Sequence, residues 1–153
     1  MDLTGYSSGF GNSTHHMVFV PKYRHAIFRD ARVRQRCAEL FHEVEDRYHS
    51  QYGLKIHELG IDKDHIHILL EMGPNCTIAK AVKLLKGYSA YKLFREFPYL
   101  RKRYFWGGHL WSPSYFFRSV GPATYDVMQN YVKNQGKPIP TKGQTKLTDF
   151  MPS

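Results

Sequence analysis

"LKIHELGIDKDHIHILLEM", residues 54–72, holds two β-rich runs, 54–61 and 65–72, on either side of the polar "DKD". Such a pattern predicts an antiparallel hairpin. Side chains alternate across a strand, so in the second run Ile66, Ile68 and Leu70 point one way while His65, His67 and Leu69 point the other. The isoleucine side belongs to a core, and the run reads as a half-buried strand. Two imidazoles at i and i+2 project roughly parallel, and their neutral nitrogens can converge on one divalent cation. The same spacing also suits ordinary histidines on an exposed strand face.

Working outward, "HHMVFV" at 15–20 predicts a first strand stopped by Pro21, followed by the basic turn "PKYRHAIF". From Asp30 to Tyr52, Val33, Cys37, Leu40, Phe41, Val44 and Tyr48 recur at spacings of three and four, which predicts an amphipathic helix ending at Gly53. A second helical stripe, Ala81, Leu84, Leu85, Tyr88 and Tyr91, runs from Thr77 to about Phe97, with Lys80, Lys83 and Lys86 largely off it. The aromatic run 115–120 predicts a fourth strand, interrupted by Gly121-Pro122. Thr124 as N-cap and Asp126 in the first turn open a short helix through Gln135, which Gly136 and Pro138 end. The order is that of an α+β, ferredoxin-like (RRM-like) split βαβ fold, an antiparallel sheet with helices on one face and an added C-terminal helix.

The 153 residues fit one domain, divided as a Gly/Ser/Asn-rich flexible arm at 1–13, a core at 14–136 and an extension without periodicity at 137–153. Lys and Arg exceed Asp and Glu by nine, the balance of a protein with a polyanionic partner such as nucleic acid. Cys37 and Cys76 are too far apart in sequence to suggest a disulfide framework or a zinc knuckle, which points to a reducing cytoplasm. The N-terminus lacks a signal-peptide pattern and no run is long and apolar enough to span a bilayer, so neither secretion nor a membrane partner is expected.

Tyr131 and Gln135 are four apart on the last helix and share a face. A glutamine carbonyl can ligate a hard cation, and a phenol beside it is a candidate nucleophile; the alternative is a surface helix with Tyr131 packed on the sheet and Gln135 in solvent. Tyrosine suits attack on a DNA phosphodiester, because the ester it forms keeps the bond energy for later rejoining, whereas water would lose it. Its reference pKa of about 10 calls for a cation that polarises the phosphate. Basic and aromatic residues interleave around Lys22, Tyr23, Arg24 and His25, and again around Arg101, Lys102 and Arg103. Lys83 and Lys86 add charge, and the whole has the composition of a single-strand-binding surface. The competing reading makes Phe105, Trp106, Trp111 and Phe116 core residues with solvated cations at their edge.

Taken together, "VPKYRHAIF", "DHIHILLEM", "LLKGYSAYKLF", "FWGGHLWSPSYF" and "YVKNQ", in this order across about residues 14–136, resemble the single-tyrosine HUH transposases of small bacterial and archaeal insertion sequences. The resemblance implies that His65 and His67 are metal ligands completed by Gln135, with magnesium or manganese as the ion, that Tyr131 is the nucleophile, and that Tyr125 lies off the pattern. It further implies a homodimer acting on single-stranded DNA with hairpins at the element ends, each active site completed by the partner's tyrosine helix, and no nucleotide cofactor. Departures are confined to the arm and the tail. Rival readings are a non-catalytic RRM-like module, which lacks here its Lys/Arg-Gly-aromatic signature; a histidine-triad hydrolase, which would need a histidine where Leu69 stands; a larger replication initiator or relaxase; and a domesticated relative of the same chemistry.

Overall fold

The structure, a computed structural model, describes residues 12–121. Its elements run β1 (Ser13–Phe19), α1 (Ala31–Tyr52), β2 (Lys55–Asp62), β3 (His65–Met72), α2 (Ile78–Glu96), α3 (Tyr99–Arg103) and β4 (Phe116–Ser119), with two short 3-10 turns, Lys22–Arg24 and Ile27–Arg29, between β1 and α1. The strands form one antiparallel sheet in the order β2-β3-β1-β4, so the split βαβ arrangement expected from the sequence is the fold of this chain. The stretch expected to form a helix with Tyr131 and Gln135, and Tyr125 with it, lies outside the described residues, as does nearly all of the N-terminal arm. Ser13 already pairs with Met72, one residue ahead of the anticipated core.

Local chemistry explains the boundaries. Asp30 caps α1, its Oδ1 accepting the Arg32 N–H at 3.0 Å, and Gly53 ends the helix in the left-handed conformation (φ 67°) that a side chain disfavours. Thr77 caps α2 by accepting the Lys80 N–H at 3.1 Å. Met17 and Phe19 of β1 and Ile66, Ile68, Leu70 and Met72 of β3 meet Val33, Cys37, Leu40, Phe41 and Val44 of α1 and Leu85 of α2 in one core.

Three features differ from the sequence expectation. On α2 the buried set is Ala81, Val82, Leu85, Ser89 and Leu93, while Tyr91 is exposed. Ser89 turns the helix inward because it donates to the Leu85 carbonyl at 2.6 Å and accepts the Trp111 indole N–H at 3.0 Å. The one-turn helix α3 carried no readable apolar period over its five residues; it starts after Pro98 and buries only Leu100. Finally, β3 is buried along its whole length rather than on one face, its histidine side as well as its isoleucine side.

Candidate active site on the second face of the sheet

The face of the sheet away from the core carries Thr14, His16 and Val18 from β1 beside His65, His67, Leu69 and Glu71 from β3. The register opposes Val18 to His67 and His16 to Leu69, which sets His16 diagonally across from His67. Three imidazoles therefore meet where two were expected. The His65 and His67 rings lie 4.5 Å apart between centroids at 85°, and the His16 ring stacks parallel to His67 at 5.7 Å.

Their electrostatics separate them. His67 is 1 % exposed, and neither of its ring nitrogens has a hydrogen-bond partner among the described residues. Burial, then the neighbouring His65 and His16, push its pKa down to about 2, so the ring is neutral with an available lone pair. His16 is pulled down to about 4, by burial first and then by Arg118. The Nδ1 of His65 lies 2.7 Å from Asp64 Oδ1; an ionised carboxylate only accepts, so Nδ1 carries the proton and Nε2 is the ring's basic nitrogen. A buried nitrogen with nothing to bond costs about 1–3 kcal/mol. Two imidazoles side by side, the His67 ring neutral and its nitrogens without hydrogen bonds among the described residues, are a donor set that fits a divalent cation. Among the described residues, no group of three or more His, Cys, Asp or Glu is placed to hold a metal. At the far end of the face Glu71 is engaged otherwise, accepting from Asn12 Nδ2 at 2.7 Å and meeting His57 Nε2 at 2.8 Å.

The basic turn after β1 packs against the segment that follows α3. Lys22 N–H donates to the Leu110 carbonyl at 2.8 Å, Ser112 N–H to Val20 at 2.8 Å, and the His25 ring packs on Tyr104 and Phe105 at 4.9 and 5.5 Å. Within the turn, Tyr23 (φ 61°) and Arg24 (φ 53°) are consecutive non-glycine residues in the left-handed region, a strain of order 1–3 kcal/mol each that the surrounding bonds hold in place. Tyr23 is thereby presented 73 % exposed, while the Arg24 guanidinium reaches Asp64 at 3.5 Å. Lys83, Arg101, Lys102 and Arg103 are exposed. Lys86 is engaged inside the protein: its ammonium donates to the carbonyls of Ser112 and Ser114 and lies over Phe19 and Tyr115, and burial lowers its pKa to about 8. Of the aromatics in the competing reading, Phe105 and Trp111 are core, whereas Trp106 is 82 % exposed.

With this geometry established, comparison with known proteins is decisive. A model of the family described as "Transposase IS200 like" matches residues 10–135. The chain belongs to that family. Among IS200-like proteins it is 32% identical over 121 residues to the ISDra2 transposase TnpA of Deinococcus radiodurans, covering 79% of this chain and 82% of that one. It is also 32% identical over 124 residues to the transposase for insertion sequence element IS200 of Salmonella typhimurium, covering 81% and 77%. A crystal structure of a Deinococcus radiodurans transposase superimposes with a TM-score of 0.66 at 31% identity over 88% of this chain and 98% of the other. A REP-associated tyrosine transposase bound to a REP hairpin shares the fold, with a TM-score of 0.58 at 10% identity over 78% of this chain and 64% of that one. Among the described residues of this IS200-like chain, no helix is long and apolar enough to cross a membrane.

Sequence reading missed His16 and Asp64. The signal for His16 was present in "HHMVFV": alternation puts His16 on the face opposite Met17 and Phe19, but only the β1–β3 register brings it to His67.

Proposed function

We propose that this chain cuts and rejoins single-stranded DNA at the ends of an insertion sequence, through a covalent bond between DNA and Tyr131, and that it recognises hairpins there. The observation that carries the reading is the pair His65 and His67, adjacent on one strand face, with the His67 nitrogens buried and without hydrogen bonds among the described residues. In this reading His65, His67 and Gln135 hold a divalent cation, magnesium or manganese, which supplies Lewis-acid polarisation of the scissile phosphate. Tyr131 Oη attacks the phosphorus and the bond to the 3′ oxygen breaks. That oxygen leaves as a 3′-hydroxyl, and the 5′ side remains esterified to the tyrosine. A 3′-hydroxyl later attacks such an ester, restoring a phosphodiester and returning the proton to Tyr131. The bond energy is conserved throughout, so no nucleotide cofactor is needed.

The surface formed by Lys22, Tyr23 and His25 with Arg101, Lys102 and Arg103 suits DNA phosphates and unstacked bases, and Lys83 adds to its charge. Arg24 contributes at its edge, and Lys86 holds the 112–115 segment behind it. In this reading the protein is a homodimer in which each partner supplies Tyr131 and Gln135 to the other's imidazoles.

The test is Tyr131→Phe with manganese and labelled single-stranded hairpin DNA. Hairpin binding should persist while cleavage and the denaturation-resistant protein–DNA adduct disappear. An adduct that survives the substitution overturns the assignment, and a wild-type protein that binds without cutting returns the chain to the class of binding modules.

A further inference from the structure

We propose that Asp64, itself held by Arg24, is the positioning residue that sets the tautomer and orientation of His65, and that the strained Lys22–Arg24 turn exists in part to deliver Arg24 to it. The inference rests on the reading of His65 as a metal ligand. Three contacts carry it. Asp64 Oδ1 lies 2.7 Å from His65 Nδ1, so the proton is fixed there and Nε2 is presented as the ligating nitrogen. Asp64 Oδ2 lies 3.5 Å from Arg24 Nε, so one carboxylate bridges guanidinium and imidazole. The Phe28 N–H donates to the Lys63 carbonyl at 3.0 Å, binding the β2–β3 turn to the connection that carries Arg24.

A ligating imidazole whose other nitrogen donates to a carboxylate is held in one tautomer and made more basic, and losing that partner lowers metal affinity about 10- to 100-fold. His67 has no such partner among the described residues, so the two imidazoles are held differently: His67 by enclosure, His65 by a charged chain that begins on the DNA-facing turn. The left-handed backbone at Tyr23 and Arg24 fits this role. It turns Tyr23 out to solvent and Arg24 back toward the site from adjacent positions.

The experiment uses the full chain with histidine labelled by nitrogen-15, comparing wild type, Asp64→Ala, Asp64→Asn and Arg24→Gln. Without metal, long-range proton–nitrogen correlations should show His65 protonated at Nδ1 in wild type and in Asp64→Asn, whose amide oxygen still accepts. Asp64→Ala should shift it toward the Nε2-protonated form. Manganese binding, read from the resonance of the free ion, should weaken about 10- to 100-fold in Asp64→Ala and by smaller factors in Asp64→Asn and Arg24→Gln. Should Asp64→Ala not fold, Asp64→Asn decides through its manganese affinity. Wild-type affinity in either Asp64 variant, or a His65 tautomer indifferent to Asp64→Ala, overturns the proposal while leaving the metal reading intact. A wild-type protein that binds no manganese overturns both.

Discussion

His67 and His16 are imidazoles kept neutral inside the protein, and that has a measurable consequence in the absence of metal. In the unfolded chain both take up a proton near pH 6.5; in the folded protein they do so only near pH 2 and pH 4 respectively. Below pH 6.5 the unfolded state therefore binds more protons, and stability falls with pH, each imidazole contributing up to about 1.4 kcal/mol per pH unit. The stability is fully present above pH 6.5 and is lost as acidity rises toward the folded values. With chelator present, the melting temperature should decline steadily from pH 6.5 to about 5.5, above the range where most carboxylates titrate, and His67→Asn should make the decline shallower. A melting temperature flat across that window contradicts the burial seen here.

At the scale of elements, Asp30 caps α1 and Thr77 caps α2. Asp30 does more than cap: the Tyr99 hydroxyl donates to its Oδ2 at 2.7 Å, and Arg32 with Tyr99 holds its carboxyl well below the usual range. One side chain thus fastens the start of α1 to α3. Asp30→Ala should cost about 1–2 kcal/mol in urea unfolding, and Tyr99→Phe should recover only the smaller share owed to that one hydrogen bond. Equal losses in the two would mean that the cap contributes nothing. The helix bounds and the hairpin were legible because each rests on local chemistry: Asp30 and Gly53 bracket a regular apolar period, and the polar "DKD" separates two β-rich runs. What could not be read depends on partners far away in sequence. Ser89 faces inward for Trp111, and His16 reaches His67 through strand register.

Across the whole molecule, the described residues bring together a histidine pair, a basic aromatic surface and an antiparallel sheet shared with IS200-like transposases. The proposed exchange of tyrosine helices makes a sharp prediction. Mixing and co-refolding His67→Ala with Tyr131→Phe, each inactive alone, should restore cleavage, because one site of the mixed dimer then joins intact imidazoles to an intact tyrosine. If each chain used its own tyrosine, every site in the mixture would be damaged and no activity would return. The net charge of +9 adds a second expectation: hairpin affinity should fall steeply and linearly with salt on a logarithmic plot.

The claim on which the rest turns is that the paired imidazoles of β3 grip a cation, and anomalous diffraction at the manganese edge addresses it most directly. Crystals of the full chain grown with manganese and hairpin DNA should show one strong peak bonded to His65 Nε2 and to one ring nitrogen of His67. Well-ordered imidazoles with no peak between them, or a peak bonded to neither, would contradict the account.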